Sequence, residues 1–332
     1  MDSLFASNDE PWTVLVIGGG LAGLAASQAL VRAGRRVLVL EAQPELGGRV
    51  HQMLVGGVLA EAGAEFLHGS DSASKVLADA IRLPTERVFT AAHGDGGPDD
   101  QPAPNGGVAL YIVDGATTLA HDSDDPGFVA LNAALGKLGD AEATPDGETR
   151  SIADYLRDEG VPPRMIALAA ASYSNTLGVG DALDELPLSG VSRLERLWSE
   201  HDGDGDYRVD AATSDAHGPP RSLAAYCSAL SQGAVVHTRS AVVRLEVTPA
   251  SQRAAPGDNG GTPCPIVIAT CSNGSRWAAN AAVIAVPVSV LQRNELSFAP
   301  PLPDDKVGTA TKPTPVLSWT LGVRCLNMRI PS

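Results

Sequence analysis

The first apolar run of the chain, Val14 to Ile17, is β-rich and breaks into the glycines Gly18, Gly20 and Gly23. Leu24, Leu30 and Val31 then recur at helical spacing as far as Ala33, and a second apolar run, Arg36 to Leu40, ends at Glu41. Apolar periodicity thus passes from strand to helix to strand inside a span of ~30 residues, which predicts a βαβ unit. Val50 to Leu59 next reads as a hairpin turning at Gly56-Gly57, followed by GAEFLHG, with His68 in a loop, and by a helix from Lys75 to Leu83.

From Ala91 to Gly106 the composition turns to Gly, Asp, Pro and Asn, the pattern of a mobile insertion. A helix over Phe128 to Leu138 lies between two polar breaks. Ser151 and Asp154 have the spacing of a capping box, and Pro163 to Ser172 forms a second helix. Leu188, Val191, Leu194 and Trp198 mark the apolar face of a third. The HDGDGD stretch, His201 to Asp206, has the alternating carboxylates of a calcium loop without its closing glutamate, and reads as a turn. A helix from Arg221 to Gln232 stops at Gly233.

The period then returns to two. Val235 to His237, Ala241 to Val247, Pro265 to Thr270 and Arg276 to Ala278 predict strands, with Asn273-Gly274 as a hairpin turn and Pro249 to Pro263 as a loop. The unbroken apolar run Ala282 to Val286 suits a separate, buried parallel strand. The chain therefore leaves a nucleotide-type domain, builds helices, and returns through an antiparallel meander to the parent sheet.

Each position of the opening unit carries a physical role. Gly18 permits a tight turn off the strand, Gly20 lets backbone approach a pyrophosphate, and Gly23 lets the helix lie close to the sheet. The helix N-terminus offers unpaired N–H groups and a positive dipole end to an anion. Glu41 is placed to accept from ribose hydroxyls and to repel a 2′-phosphate. Gly47, Gly48 and Arg49 add a flexible turn presenting a guanidinium, whose fork matches a phosphate.

The chain has 332 residues, enough for about two domains, and 44% of them are hydrophobic. A net charge of −15 argues against nucleic acid or an anionic membrane as principal partner and suits a cationic ligand. The four cysteines, Cys227, Cys264, Cys271 and Cys325, form no CxxC pair, so reduced thiols are expected and no metal site is legible. The N-terminal MDSLFASNDEPW lacks signal-peptide character, no apolar stretch is long enough to span a bilayer, and a cytoplasmic location is the simple expectation.

Taken together, VLVIGGGLAGLAAS with LEAQPELGGR, GAEFLHG, VVHTRSAVVRLEV, and AAVIAVPVSVLQ with LSFAPPLPDDK resemble the flavin-containing amine oxidases, most closely the polyamine and spermine oxidases. The matches run in family order from Thr13 to Lys306, more loosely through SIADYLRDEG and LERLWSEHDGDGDYRV. The resemblance implies an α/β fold: a Rossmann-like FAD-binding domain with a parallel sheet and β-meander, and a mainly helical, α+β substrate domain. Residues 1–90 would begin the FAD-binding domain and 91–233 form the substrate domain with its insertions. Residues 234–300 would complete the FAD-binding domain, and 301–332 would start a substrate-domain sheet.

It also implies FAD as cofactor, held by Gly18, Gly20, Gly23 and Glu41, with Gly48 and Arg49 at the phosphates and flavin. Ala64 and Glu65 would pass the isoalloxazine ring, the backbone of Val243 would read adenine, and His68 matches the active-site histidine of the animal-type polyamine oxidases. The expected reaction oxidises a C–N bond of a small cationic amine by hydride transfer to flavin N5, with O2 as reoxidant. Met328 stands where the family has a lysine that orients a water, unless the alignment slips and Arg329 is the nearest cation. The chain also stops before the family's C-terminal strand-glycine-helix segment, as a truncated member would. An inactive fragment and a related flavoprotein desaturase are the competing readings, and the sequence says nothing of oligomeric state.

Overall fold

The computed structural model describes residues 12–88, 110–113, 115, 117–120, 123–141, 150–177, 183–201, 206–209, 223–248 and 266–302. The predicted βαβ unit is present as β1 (Trp12–Ile17), α1 (Leu21–Arg32) and β2 (Val37–Leu40). All of β2 is buried, as an apolar run covered on both faces must be. β3 (Gln52–Val55) and β4 (Val58–Glu61) form the expected hairpin, with Gly56 at φ +58° and Gly57 at φ +85°. Two residues at positive φ turn the chain in the sense of the strand twist.

His68 does not lie in a loop: it ends the short strand β5 (Leu67–His68). α2 (Ala73–Ala80) follows, capped by the Ser72 hydroxyl, which accepts from the Lys75 N–H; β6 (Thr85–Val88) comes next. The expected insertion at 91–106 lies outside the described residues. β7 (Leu110–Val113) and β8 (Thr117–Ala120) pair as a hairpin that the sequence reading missed. α3 (Pro126–Leu135) starts earlier than predicted, because Asp125 accepts from the N–H groups of Gly127 and Phe128 and Pro126 takes the first helical position.

α4 (Ile152–Asp158) has the full capping box: the Ser151 hydroxyl accepts from the Asp154 N–H at 3.0 Å and the Asp154 carboxylate accepts from the Ser151 N–H at 3.3 Å. α5 (Pro163–Leu177) and α6 (Leu188–His201) complete this helical region. Phe128, Leu131, Tyr155, Leu156, Met165 and Val191 meet in one buried cluster. β9 (Asp206–Val209) begins at the last residue of the HDGDGD stretch, so that residue is a strand residue and not part of a turn; residues 202–205 lie outside the described set. β9 stands between β5 and β6 in a small antiparallel sheet.

α7 (Leu223–Leu230) leads to β10 (Val235–His237), β11 (Val242–Thr248), β12 (Ile266–Cys271), β13 (Arg276–Ile284), α8 (Val288–Gln292) and β14 (Ser297–Ala299). The principal sheet has the order β10-β2-β1-β13-β12-β11-β14. Arg276–Ala278 and Ala282 onward, read from the sequence as two strands, are one. The first part of β13 closes the meander against β12, and the later part runs parallel to β1 from Ala279 to Ile284. Asn280 and the alanines around it allow that continuity, since nothing in the run forces a turn.

Strand alternation divides the core between two layers. Leu15, Ile17, Leu38 and Leu40 pack with Leu245 and Val267 of the meander, while Val16, Val37 and Val39 pack with Leu30 and Val31 of α1. The fold is α/β: a parallel sheet between a helix layer and a β-meander. The loop 249–263, residues 1–11 and everything beyond 302 lie outside the described residues, and with them Met328 and Arg329.

Candidate functional site

The three glycines after β1 occupy three different spaces. A Cβ on Gly18, which sits at φ +103°, would lie 2.8 Å from the Ala285 carbonyl oxygen, and one on Gly23 would lie 2.0 Å from the Gly18 carbonyl oxygen. Both positions are filled by backbone, so only hydrogen fits. Around Gly20 the nearest atom to such a Cβ is the Gly47 carbonyl oxygen at 3.8 Å, which leaves open space at the start of α1. Gly20 is the N-cap and donates no side-chain cap, and the first turn of α1 holds no acidic residue. The unpaired N–H groups of that turn therefore face a space that a diphosphate-type anion fits.

The second wall of the space is the 47–49 turn. The Gly47 N–H donates to the Gly19 carbonyl at 2.9 Å, Gly20 and Gly47 form a parallel bridge, and a Cβ on Gly48 would lie 3.4 Å from Gly20 Cα. Arg49 is exposed, and its carbonyl accepts from the Ala64 N–H at 3.0 Å. Gly63 makes that approach possible, since a Cβ there would lie 1.9 Å from the Arg49 oxygen. Gly18, Gly20, Gly23, Gly48, Arg49 and Ala64 are thus brought together by main-chain contacts.

Glu41 closes the same region from the end of β2 and is only 7% exposed. One carboxylate oxygen accepts from the Gly19 N–H at 2.6 Å and the other from the Gln43 N–H at 2.7 Å. An ionised carboxylate has about four lone-pair sites, so both oxygens retain capacity for ribose hydroxyls. The donor set, the open face at Gly20 and the nearby guanidinium fit an adenine dinucleotide such as FAD. Val243 lies on β11, beyond β13 and β12 from β1, at an irregularity of the β11–β12 pairing. It is 40% exposed, and its carbonyl accepts from the Ser297 hydroxyl at 3.0 Å.

Past Ala64 the chain enters β5, where Leu67 is buried and His68 is not. His68 stands opposite Asp206 in the β5–β9 ladder, and its Nδ1 lies 2.6 Å from Asp206 Oδ1. The imidazole is 46% exposed and the carboxylate 4%. The Phe66 ring meets the imidazole edge-on, with centroids 6.4 Å apart. Glu65, exposed, has its effect through Glu61 at the end of β4.

Glu61 was not singled out from the sequence. Its Oε1 accepts from the Leu223 N–H at the start of α7 at 3.1 Å, while its buried Oε2 has no hydrogen-bond partner among the described residues. Loss of solvent holds its carboxyl above the usual range; the Leu223 N–H opposes this and the Glu65 charge adds to it. One turn into α7, burial and then the Glu61 charge push the Cys227 thiol up to about 11. Beside it, burial pushes Tyr226 up to about 12, and its hydroxyl donates to the Ser74 carbonyl at 2.8 Å. No group of metal-ligating side chains occurs among the described residues. No helix among them is long and apolar enough to cross a membrane.

The sequence model of the family described as flavin containing amine oxidoreductase matches residues 21–314. Polyamine oxidase 5 of Oryza sativa subsp. japonica is 26% identical over 314 residues, 91% of this chain and 56% of that protein. Polyamine oxidase 2 of Arabidopsis thaliana is 26% identical over 302 residues, 89% of this chain and 54% of that one. The chain thus spans about half the length of these curated relatives. Among solved structures, cyclohexylamine oxidase from Brevibacterium oxydans superposes with a TM-score of 0.65 at 20% identity, over 91% of this chain and 63% of that one.

Proposed function

Because the chain belongs to the family of flavin-containing amine oxidoreductases, whose cofactor is FAD, we propose that it serves the oxidation of a C–N bond in a polyamine-like amine, with O2 as final acceptor. The observation that carries the reading is the clasp of α1's open N-terminus against the 47–49 turn, with the Ala64–Arg49 hydrogen bond leading straight to His68. When bound, FAD supplies the two-electron acceptor that O2 restores.

The chain's own residues do the rest. The N–H groups at the start of α1 and the Arg49 guanidinium hold the pyrophosphate, and Glu41 holds the adenosine ribose. Ala64 and Glu65 border the flavin ring, and the Val243 main chain meets the adenine. His68, at the strand end beyond this cradle, orients the amine so that its reacting carbon faces the ring. Residues 1–90 and 234–300 act as the cofactor domain, and 91–233 as the wall of the amine site. Support for a polyamine over other amines comes from the polyamine oxidase relatives, the net charge of −15 and His68 beside a buried carboxylate.

The test is the visible spectrum of the purified protein, before and after anaerobic spermine. A flavin spectrum that bleaches, followed by peroxide formation on admitting air, is the expected result. Protein that stays colourless in excess FAD would overturn the proposal.

A further inference from the structure

We infer that Glu61 is a positioning residue for the cofactor cradle: it caps the N-terminus of α7 from a strand 162 residues away in sequence, and so seats the helix that backs both walls of that cradle. This rests on the reading of the cradle as an FAD site. Leu223 is the first residue of α7, so its N–H has no carbonyl one helical turn back to donate to, and Glu61 Oε1 accepts from it at 3.1 Å. The carboxylate is held in turn by its own backbone. Glu61 ends the β3–β4 ladder opposite Gln52, the Ala62 N–H donates to the His51 carbonyl at 2.7 Å, and the Ala64 N–H donates to the Arg49 carbonyl at 3.0 Å.

From α7 the contacts return to the cradle. Cys227 Sγ lies 3.6 Å from the place that a Cβ on Gly47 would take. Leu223, Cys227 and Leu230 share one buried cluster with Leu24 of α1, Val50 beyond the turn and Leu67 of β5. Glu61, α7, the 47–49 turn and the 62–64 segment thus close a ring of contacts, and α1 rests on it. Gly47 and Gly48, at φ +118° and +61°, have no side chains with which to anchor the turn, so its position is set by what packs behind it. On the far side of α7 the Tyr226 hydroxyl donates to the Ser74 carbonyl at 2.8 Å. The helix is therefore pinned at two points, and Glu61 is the pin that belongs to the cradle's own chain segment.

E61A and E61Q test the assignment. E61A leaves the Leu223 N–H without its acceptor, whereas the Gln amide oxygen keeps one. Both variants remove the charge that acts on the Cys227 thiol, so the difference between them reads the cap alone. The Kd for FAD, from quenching of flavin fluorescence as the flavin-free protein is titrated in, is expected to rise about 3- to 30-fold in E61A, the range of one helix N-cap, and to return close to the wild-type value in E61Q. Alkylation of Cys227 by iodoacetamide in the flavin-free protein should quicken in E61A relative to E61Q, with Cys271, on β12 of the meander, unchanged as the internal reference. Equal quickening of both thiols would make Glu61 a residue of general stability, and equal effects of the two variants would assign its charge in place of its cap; either result overturns the inference.

Should E61A fail to fold, the wild type decides. The Leu223 amide is expected to exchange slowly with deuterium and more slowly still with FAD present, because coupling between cap and cofactor is reciprocal. Unprotected exchange at Leu223, or exchange indifferent to FAD, overturns the inference. If no flavin binds at all, the FAD reading falls, while Cys227 alkylation still decides whether Glu61 seats α7.

Discussion

Glu61 shows what a single buried atom contributes. A carboxyl whose folded value lies above its unfolded one binds its proton more tightly in the folded state. Its contribution to stability is full below the unfolded value and is lost as pH rises through the raised one. E61Q keeps an acceptor for the Leu223 N–H and removes the charge. The wild type should therefore lose stability relative to E61Q between the ordinary carboxylate range and neutrality, with no difference at more acid pH; urea midpoints over that range check it. Asp125 and Asp154, held low chiefly by Arg164 and by the Ser151 hydroxyl, work in the opposite direction and cancel in the comparison.

The thiols of Cys227 and Cys271, each 2% exposed and each pushed up by burial, should stay unmodified by iodoacetamide in the native protein at pH 8. Peptide mass spectrometry after brief alkylation reads this directly. Neither effect was legible in the sequence. Glu61 is remote in sequence from the helix that buries it, and no local pattern announces such a meeting. Asp206 was hidden for a related reason: the glycines before it signalled a turn, and its strand is fixed by pairing with β5 and β6.

At the scale of elements, local chemistry wrote the ends of the helices and long-range pairing wrote the strands. The Ser151–Asp154 spacing predicted the start of α4, and the box is fully formed. S151A should cost about 1 kcal/mol, the usual price of an N-cap, measured by denaturant unfolding. The βαβ unit and the Gly56-Gly57 hairpin were equally readable, since glycine spacing and strand period are local signals. β13 was not, because the two halves of one strand serve different neighbours and only the second is apolar on both faces. At Gly23 the two kinds of information meet: G23A would press a methyl against the Gly18 carbonyl, with no flexible atom to give way. A loss of about 2–3 kcal/mol and of flavin retention is expected, by urea unfolding and by absorbance after gel filtration.

For the whole molecule, charge acts at a distance. A chain carrying −15 draws a polyvalent cation more strongly than a monovalent one, and salt screens the attraction with a Debye length of about 8–10 Å near physiological ionic strength. Raising NaCl from 20 to 500 mM, roughly the range over which that length falls severalfold, should depress kcat/KM for spermine more than for n-octylamine. Equal depression would place the charge effect elsewhere than in amine capture. The family was legible from motifs scattered along the chain, and in those that contain Gly18, Gly23, Gly47 and Gly63 the glycine sits where backbone closely approaches backbone.

The sheet order has a consequence for how the protein is made. β1 is flanked by β2, which follows it at once, and by β13, whose continuation Ala285 donates to the Ile17 carbonyl at 2.8 Å and walls in Gly18. Ribosomes adding ~5–20 residues per second need on the order of 10–50 s to make residues 41–275, the 235 that separate β2 from β13. Throughout that interval the central strand has one bare edge. The glycine cradle after β1 gains its wall at Gly18 only once β13 and Ala285 have been made. A ligand that needs that wall must wait for β13, and until then the β1 edge stays open to any strand that can pair with it.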